Sequence, residues 1–240
     1  LHNHCAVSLA EGDPQRALDN ARQHLDFCTL TGHAFWPDMP TTNLARYGKA
    51  MSIHLGGFAK LKLFWKDLLE LMDTTNQPGE FVTIPSYEWH SRNFGDYTCL
   101  FNQFQPELID GPHPAGLAEN LQKTQRDFIM MPHHCAYTPG YRGVDWDAFN
   151  EKASPVVEIF SNHGCGEADD APYDYHHYMG PRSRECMVRT GLLAGHRFGF
   201  TAGTDSHDGY PGHYGHGRVG VLAHQLDLPS IWEGLKNWRT

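Results

Sequence analysis

Short apolar runs that end in His, Glu or Asp recur along the chain. Seven such runs have strand length, and several are rich in β-branched or aromatic residues. They begin at Leu1 and continue at residues 27–30, 81–84, 97–101, 128–131, 156–160 and 198–203. The run at 128–131 leads into His133 and His134, and the run at 198–203 leads into Asp205. Nearly every predicted strand therefore carries its polar cluster at the carboxyl end.

Segments with helical periodicity separate these predicted strands. Asp13 and Pro14 fit the N-cap and the first position of a helix, and apolar residues follow them at helical spacing. Residues 57–72, 117–124 and 182–193 are the other predicted helices. Strands that alternate with helices indicate a mainly parallel sheet, open or closed into a barrel. The loops after the strands of such a barrel converge on one face, so the polar clusters favour an active site there.

Length and composition favour a single domain, residues 1–240, with one sizeable core. Hydrophobic residues make up 40% of the chain, and no Pro-, Gly- or Ser-rich linker divides it. No run approaches the roughly 20 apolar residues of a membrane span, so we expect a soluble protein without a membrane partner. With 19 Lys and Arg against 28 Asp and Glu, the formal charge is −9, which argues against a nucleic-acid partner.

Six cysteines are scattered along the chain without a C-x-x-C pair. Buried, reduced thiols are their expected state, and a bridge between Cys165 and Cys186 is left open. The chain begins at Leu1, one residue before a His-x-His motif, so we expect a piece that is trimmed at one or both ends. The sequence identifies neither the oligomeric state nor the compartment, with a slight preference for the cytoplasm.

Two pairs of residues with i, i+2 spacing are candidate metal ligands. His2 and His4 point to the same side of an extended segment, so both can bind one ion. Asp205 and His207 repeat this spacing just after a predicted strand.

Three further residues complete the candidate set. Glu88 follows a predicted strand, and its two carboxylate oxygens can bridge two ions. His33 and His134 also follow predicted strands. Imidazole and carboxylate ligands together suit Zn, Mn or Fe better than Ca or Mg, which prefer oxygen ligands alone.

These motifs, in this order, resemble the PHP (polymerase and histidinol phosphatase) superfamily. The order is His-x-His, Thr-Gly-His, a Glu after a strand, a strand ending in His, and Asp-x-His, over residues 1 to about 223. The similarity is closest to a branch described as a domain of unknown function, through the segments LHNHCAVS, LDFCTLTGHAFWPDMP, PSYEWHS, PHHCAY, VEIFSNHG and TAGTDSHDG. The resemblance implies a distorted seven-stranded (β/α) barrel with two or three divalent metal ions at the C-terminal mouth of its strands.

The resemblance also implies which residues hold each ion. The first ion would be held by His2, His4, Glu88 and Asp205. The second would be held by the bridging Glu88 and by His134. The third would be held by His33, His207 and Glu11.

Two ligand positions stay open at this point. His90 and Asp96 both lie near the place of a further ligand to the second ion, and neither fits cleanly. Spacing does not distinguish His133 from His134 as the ligand, because adjacent side chains of a strand point in opposite directions. We take His134 as the ligand and His133 as a contact for the substrate.

The expected reaction is hydrolysis of a phosphate ester of a small molecule by a metal-activated water. The sequence has neither a G-x-S-x-G motif nor a P-loop, and this reaction needs no nucleophilic side chain. His207 or His163 would protonate the leaving oxygen. Arg142 and Arg92 would contact the phosphate from loops on the active face, and solvated loop arginines are the alternative interpretation.

Two other functions compete with this hypothesis. One is an amidohydrolase-like enzyme that cuts C–N or C–O bonds, although the chain has no Lys directly after a predicted strand to bridge two ions as a carbamate. The other is a non-catalytic, metal-binding PHP-like module. A panel of phosphate esters, amides and lactones separates these alternatives.

Overall fold

Three separate β-sheets and five α-helices form the fold in the computed structural model, which describes residues 1–42, 44–124 and 127–240. The strands are Phe27–Cys28 (β1), Gly32–Phe35 (β2), Val82–Thr83 (β3), Ser86–Trp89 (β4), Asp96–Phe101 (β5), Phe128–His133 (β6), Val156–Ser161 (β7), Gly164–Cys165 (β8) and Gly199–Ala202 (β9). The α-helices are Pro14–Arg22 (α1), Leu44–Thr75 (α2), Pro114–Thr124 (α3), Val188–Leu193 (α4) and Leu228–Lys236 (α5). Short 3-10 helices lie at Trp146–Ala148 and Arg184–Cys186.

The largest sheet has four strands in the order β2-β4-β5-β6. β2 and β4 are parallel, and their register places His33 beside Glu88. β5 runs antiparallel to both β4 and β6, and Asp96 at its start pairs with His133 at the end of β6. The carboxyl ends of three strands and the amino end of the fourth therefore meet at one edge of the sheet, where the polar residues gather.

The two smaller sheets flank this one. β1 and β3 pair in parallel over two residues each. In the third sheet, β7 pairs in parallel with β9 and antiparallel with β8, and Glu158 on β7 lies beside Thr201 on β9. The segment after β9 leads to Asp205, so the carboxyl end of this sheet supplies a further candidate ligand.

The expectation of a distorted seven-stranded (β/α) barrel is wrong. Among the described residues, the nine strands form sheets of two, four and three strands, and none of these sheets closes on itself. One physical reason lies between Trp89 and Asp96, where only residues 90–95 connect β4 to β5. A parallel crossover needs about a dozen residues or more, so this short connection reverses the chain and makes β5 antiparallel. Gly95, with φ of 86°, adopts the left-handed conformation in this turn.

Helix α2 is much longer than the predicted segment of residues 57–72. It begins at Leu44 and ends at Thr75, and it packs closely on β2. A Cβ atom at Gly32 would lie 2.4 Å from the Leu61 side chain, so glycine allows this approach. The first turns of the helix have no clear apolar stripe, but they bring His54 against the cluster described below.

Four buried clusters of apolar side chains lie among the described residues, and the two largest join the large sheet to the helices. Leu18 of α1 and Met72 of α2 pack with Tyr87 and Phe101 of the large sheet. Trp232 of α5 packs with residues of β5, β6 and β7 on the other side. All six cysteines are free and buried, and Cys165 and Cys186 form no bridge. No helix in the described ranges is both long and apolar enough to span a bilayer.

The N-cap of α1 provides a test of the local sequence signal. Asp13 accepts a hydrogen bond from the backbone N–H of Arg16 at 3.0 Å, as its position before Pro14 predicts. We expect Asp13→Ala to lower the free energy of unfolding by about 1 kcal/mol. Asp13→Asn keeps the acceptor and is the matched control. Urea unfolding measures both, and equal stabilities of the two variants would contradict the capping role.

Candidate metal centre

The amino-terminal segment reaches the centre by pairing its backbone with distant parts of the chain. His4 N–H donates to the Ser206 carbonyl at 3.0 Å, and Asp205 N–H donates to the His2 carbonyl at 2.7 Å. On the other side, Thr31 N–H donates to the Asn3 carbonyl at 2.7 Å. These bonds hold His2 and His4 between the segment leading into β2 and the segment that follows β9.

Glu88 lies at the middle of the cluster and is 3% exposed. Its Oε2 atom lies 3.2 Å from His4 Nε2 and 3.6 Å from the Nε2 atoms of both His2 and His33. Its Oε1 atom lies 3.1 Å from both His133 Nε2 and His90 Nδ1. One carboxylate therefore faces five imidazoles that come from four segments of the chain.

Asp205 is the second carboxylate that joins several imidazoles. Its Oδ1 atom lies 3.2 Å from His4 Nε2 and 3.5 Å from His2 Nε2. Its Oδ2 atom lies 3.0 Å from His163 Nε2. Asp96 takes a similar place near β6, with Oδ2 2.9 Å from His90 Nδ1 and 3.5 Å from His134 Nε2.

Several buried polar atoms of the cluster lack a hydrogen-bond partner, which is costly inside a protein. The atoms concerned are Glu88 Oε2, Asp205 Oδ2, His4 Nδ1, His90 Nε2 and His134 Nδ1. Two pairs of imidazole nitrogens also face each other: His2 Nε2 and His4 Nε2 at 3.1 Å, and His33 Nε2 and His207 Nε2 at 3.2 Å. Facing lone pairs around a buried carboxylate oxygen fit a cation, which accepts electron pairs from all of them.

Neighbouring acceptors fix which nitrogen of two imidazoles is free for a cation. His207 Nδ1 lies 3.2 Å from the Asp205 carbonyl, and His2 Nδ1 lies 3.2 Å from Glu158 Oε2. These oxygens accept hydrogen bonds from Nδ1–H, so Nε2 of each ring is the nitrogen turned to the cluster. Acceptors behind metal-binding imidazoles commonly set the ring orientation in this way. Glu158, on β7, was not among the residues identified from the sequence.

Among the described residues, five overlapping groups have ligand atoms within 4.8 Å of one another. They are His2, His4 and Asp205; His4, His33 and His207; His33, Glu88 and His90; Glu88, Asp96, His133 and His134; and His134, His163 and Asp205. Their imidazole and carboxylate donors suit Zn, Mn or Fe. His4, His33, Glu88, His134 and Asp205 each occur in two groups, so the groups form one continuous cluster.

Burial and neighbouring charges favour the protonation states that metal ligands need at several of the candidate ligands. Burial lowers the pKa of His4 to about 4, helped by repulsion from His207, and burial also holds the pKa of His33 and His134 well below the ordinary value. Burial alone would raise the pKa of Glu88, but His90, His33 and His133 outweigh it and lower that pKa well below its usual range.

The other carboxylates and His2 follow the same balance. His2 and His163 outweigh burial at Asp205 and lower its pKa well below the ordinary value. For His2, burial would lower the pKa, but Asp205 and Glu158 raise it well above the usual value. The carboxylate of Asp205, like that of Glu88, is therefore ionised, whereas His2 favours its protonated form and would release a proton on binding a cation.

The structure brings most of the sequence-predicted ligands together. His2, His4, His33, Glu88, His134, Asp205 and His207 all belong to the cluster. Glu11 does not: its side chain is exposed, and it belongs to none of the groups found among the described residues. From the same segment, Ser8 contacts the cluster instead, with Oγ 3.1 Å from His33 Nδ1. The backbone of Glu11 lies close to the cluster, since its N–H donates to the His207 carbonyl at 2.9 Å, but its side chain points to solvent.

The structure shows where the residues lie whose roles the sequence left open. His90 and Asp96 lie in the cluster and contact each other, as given above. His133 is fully buried, with Nδ1 3.3 Å from Thr98 Oγ1 and Nε2 towards Glu88, whereas His134 lines a cavity beside the cluster. The positive φ of His134, 34°, explains why two adjacent histidines reach the same centre, since alternation does not continue past β6.

Two of the three predicted substrate contacts, Arg142 and Arg92, lie at this cavity, whereas the third, His133, is fully buried and does not line it. Arg142 is 9% exposed, and its Nη1 donates to Asp96 Oδ2 at 3.0 Å, so it is a buried, paired cation and not a solvated loop residue. Arg92 is half-buried, and its Nε donates to the Gly140 carbonyl at 3.2 Å. His163 and His207 line the same cavity. His54 of α2 accepts from Arg142 Nη2 at 3.0 Å, a contact that the sequence did not indicate.

Comparison with known proteins adds no relative to this description. No model of a protein family matches the chain, and no curated protein matches it. The resemblance to the PHP superfamily therefore rests on the motifs in the sequence.

The fit of Glu158 against His2 depends on Gly203. A Cβ atom at position 203 would lie 2.3 Å from Glu158 Oε2 and 2.7 Å from His2 Cβ. We expect Gly203→Ala to displace the acceptor behind His2 and to weaken metal binding about 10–100-fold. Titration of the metal-free protein with Zn²⁺ or Mn²⁺ in a calorimeter measures this change.

Gly166→Ala is the matched control for that substitution. Gly166 is buried too, but an added Cβ atom would meet its nearest neighbours at an ordinary 3.7 Å. We expect its metal affinity to stay at the wild-type value. Equal affinities of the Gly203→Ala variant and the wild type would show that Glu158 does not position His2 for a metal.

Proposed function

We propose that the chain is a metal-dependent hydrolase of phosphate esters. The observation that carries the proposal is the buried Oε2 atom of Glu88, which has no hydrogen bond and lies within 3.6 Å of three imidazole nitrogens. A buried carboxylate in such a setting is typical of a bridge between cations. The cavity beside it gives a substrate access to the same atoms.

In this proposal the cluster holds two or three divalent ions, with Zn, Mn or Fe as the candidates. The first set of ligands is His2, His4, Glu88 and Asp205. The second set combines Glu88 with His134 and with its neighbours His133, His90 and Asp96. The third set is His33 and His207, together with His4. When bound, the ions would activate a water as the nucleophile and neutralise the phosphate oxygens.

His163 is our choice for the proton donor. Its Nδ1 atom lies 2.6 Å from the Tyr137 hydroxyl, and its Nε2 atom lies 3.0 Å from Asp205 Oδ2 at the wall of the cavity. An ionised carboxylate only accepts hydrogen bonds, so the Asp205 carboxylate favours a proton on His163 Nε2. His207, also considered for this role, turns Nε2 towards His33 and suits the role of a ligand.

The reaction forms a bond between phosphorus and the oxygen of a water, which releases a proton to solvent, and breaks the bond between phosphorus and the ester oxygen. His163 takes part as an imidazolium. Its Nδ1–H donates to the Tyr137 oxygen, whose hydroxyl donates to the His176 carbonyl at 3.2 Å, so Tyr137 holds the ring in place. His163 Nε2 gives its proton to the departing oxygen, and the neutral ring regains a proton from solvent.

Asp205→Ala tests the metal-dependent reaction. We expect the variant to lose turnover of phosphate esters in the presence of Mn²⁺ or Zn²⁺, and to bind less metal per chain, because two imidazoles and His163 lose their shared carboxylate. Elemental analysis and a panel of phosphate esters, amides and lactones are the measurements. Asp208→Ala changes an exposed carboxylate of the same loop and is the control.

Three results would contradict the proposal. Full phosphoesterase activity in Asp205→Ala would remove the assigned centre. Turnover restricted to amides or lactones would favour the amidohydrolase-like alternative. Bound metal without turnover of any substrate on the panel would favour a non-catalytic module.

His163→Gln tests the proton donor separately. We expect kcat for alkyl phosphates to fall by about 10²–10⁴-fold, because their leaving oxygen needs a proton. The loss for 4-nitrophenyl phosphate should be much smaller, since nitrophenolate leaves without one. His176→Gln changes an exposed neighbouring imidazole and serves as control. Equal losses for both substrates would assign His163 a different role, such as that of a ligand.

A further inference from the structure

The cavity beside the metal centre is much larger than a phosphate group. Its volume is about 590 Å³, within the range of pockets that hold small organic molecules. Glu88, His134 and Asp205 form one side of it, together with His33 and His207. A phosphate held there would leave most of the cavity to the group attached to it.

The rest of the cavity is lined mainly by aromatic and other apolar side chains. They come from the segment before α1, from the segment after β2, from the first turns of α2, and from the loops that follow β6 and β8. The residues are Leu9, Trp36, Pro40, Tyr47, Tyr141 and Met179. Sugar hydroxyls need hydrogen-bond partners when water is removed, and a wall of this composition suits an apolar group better.

Two arginines stack on aromatic rings of this wall. The Arg142 guanidinium carbon lies 4.3 Å from the centre of the Trp36 ring, and that of Arg92 lies 5.4 Å from the centre of the Tyr47 ring. Arg142 is itself held by Asp96 and His54. These contacts fix the orientation of the rings before a ligand binds, which reduces the entropy lost on binding.

The backbone at Arg142 supports the same interpretation. Its φ of 73° lies in the left-handed region, which is unfavourable for a residue with a side chain. The next residue, Gly143, allows a close approach, since a Cβ atom there would lie 1.7 Å from the Tyr137 carbonyl oxygen. The loop therefore keeps a strained conformation that places the guanidinium against Trp36.

We propose that this cavity selects phosphate monoesters of aromatic alcohols. The proposal rests on the proposed function, because the phosphate would lie at the metal centre. The aromatic group would lie against the rings of Trp36, Tyr47 and Tyr141, where offset or edge-to-face contacts are favourable. Arg142 and Arg92 then act mainly by positioning those rings.

Binding of phosphonates tests the selection without interference from leaving-group reactivity. In calorimetry with the metal-loaded protein, we expect benzylphosphonate to bind at least about tenfold more tightly than methylphosphonate and hexylphosphonate. Equal binding of benzyl- and methylphosphonate would overturn the proposal. Equal binding of benzyl- and hexylphosphonate would overturn the selection of aromatic groups.

Two variants on α2 test whether the selection of aromatic groups arises in this cavity. Ala50 lines the cavity, so Ala50→Phe should fill part of it and remove most of the preference for benzylphosphonate. Ser52 is exposed on the same helix and does not line the cavity, so Ser52→Phe should keep the preference. A preference that survives in Ala50→Phe would contradict the assignment.

Turnover of benzyl phosphate and glycerol phosphate separates the two proposals. Hydrolysis of both esters together with equal phosphonate affinities would overturn the aromatic selection and leave the phosphoesterase in place. A strong preference for benzylphosphonate with no hydrolysis of either ester would overturn the phosphoesterase and support the aromatic cavity.

Discussion

The burial of the Glu88 carboxylate is the constraint on which the site depends. An ionised group that is removed from water is stable only when other charges or hydrogen bonds replace its hydration. Here the replacement comes from five imidazoles, and those imidazoles are supplied by the amino-terminal segment, β2, the end of β4 and the end of β6. The fold must therefore bring four remote parts of the chain to one sheet edge. The parallel pairing of β2 and β4, which places His33 beside Glu88, joins two of them.

Backbone strain is concentrated at the same place. In the described ranges, four residues other than glycine have a positive φ, and three of them are His134, Arg142 and Asp205. Such conformations persist only where the surroundings hold them, and they are common at functional sites. At His134 the backbone leaves the strand geometry of β6 just where the side chain must turn to the cluster. At Asp205 the backbone is held by the hydrogen bond from its N–H to the His2 carbonyl.

The residues of the cluster were easier to predict than the architecture. The i, i+2 spacing of His2 and His4 and the position of Glu88 just after a predicted strand are local signals. The structure brings these residues together, with Glu88 inside β4. The barrel was wrong because pairing direction depends on the length of connections, and the six residues between β4 and β5 permit only a reversal. The sequence did not identify Glu158 as a partner of His2, because a single acid within an apolar strand has no spacing or motif that marks a site. Residues 182–193 contain a 3-10 turn and a short helix in place of one helix, since Met187 separates them with an extended backbone.

Several residues of the cluster belong to two ligand groups at once, and this overlap has the widest consequence. His4, Glu88 and Asp205 each belong to two of the overlapping ligand groups among the described residues. A cation bound by one group would fix side chains that the neighbouring group also needs, and it would add positive charge close to that group. The successive binding constants would therefore be linked, and by thermodynamic reciprocity any two ions would alter each other's affinity by the same factor. The composition of such a centre would then depend on the free concentration of each metal around the protein.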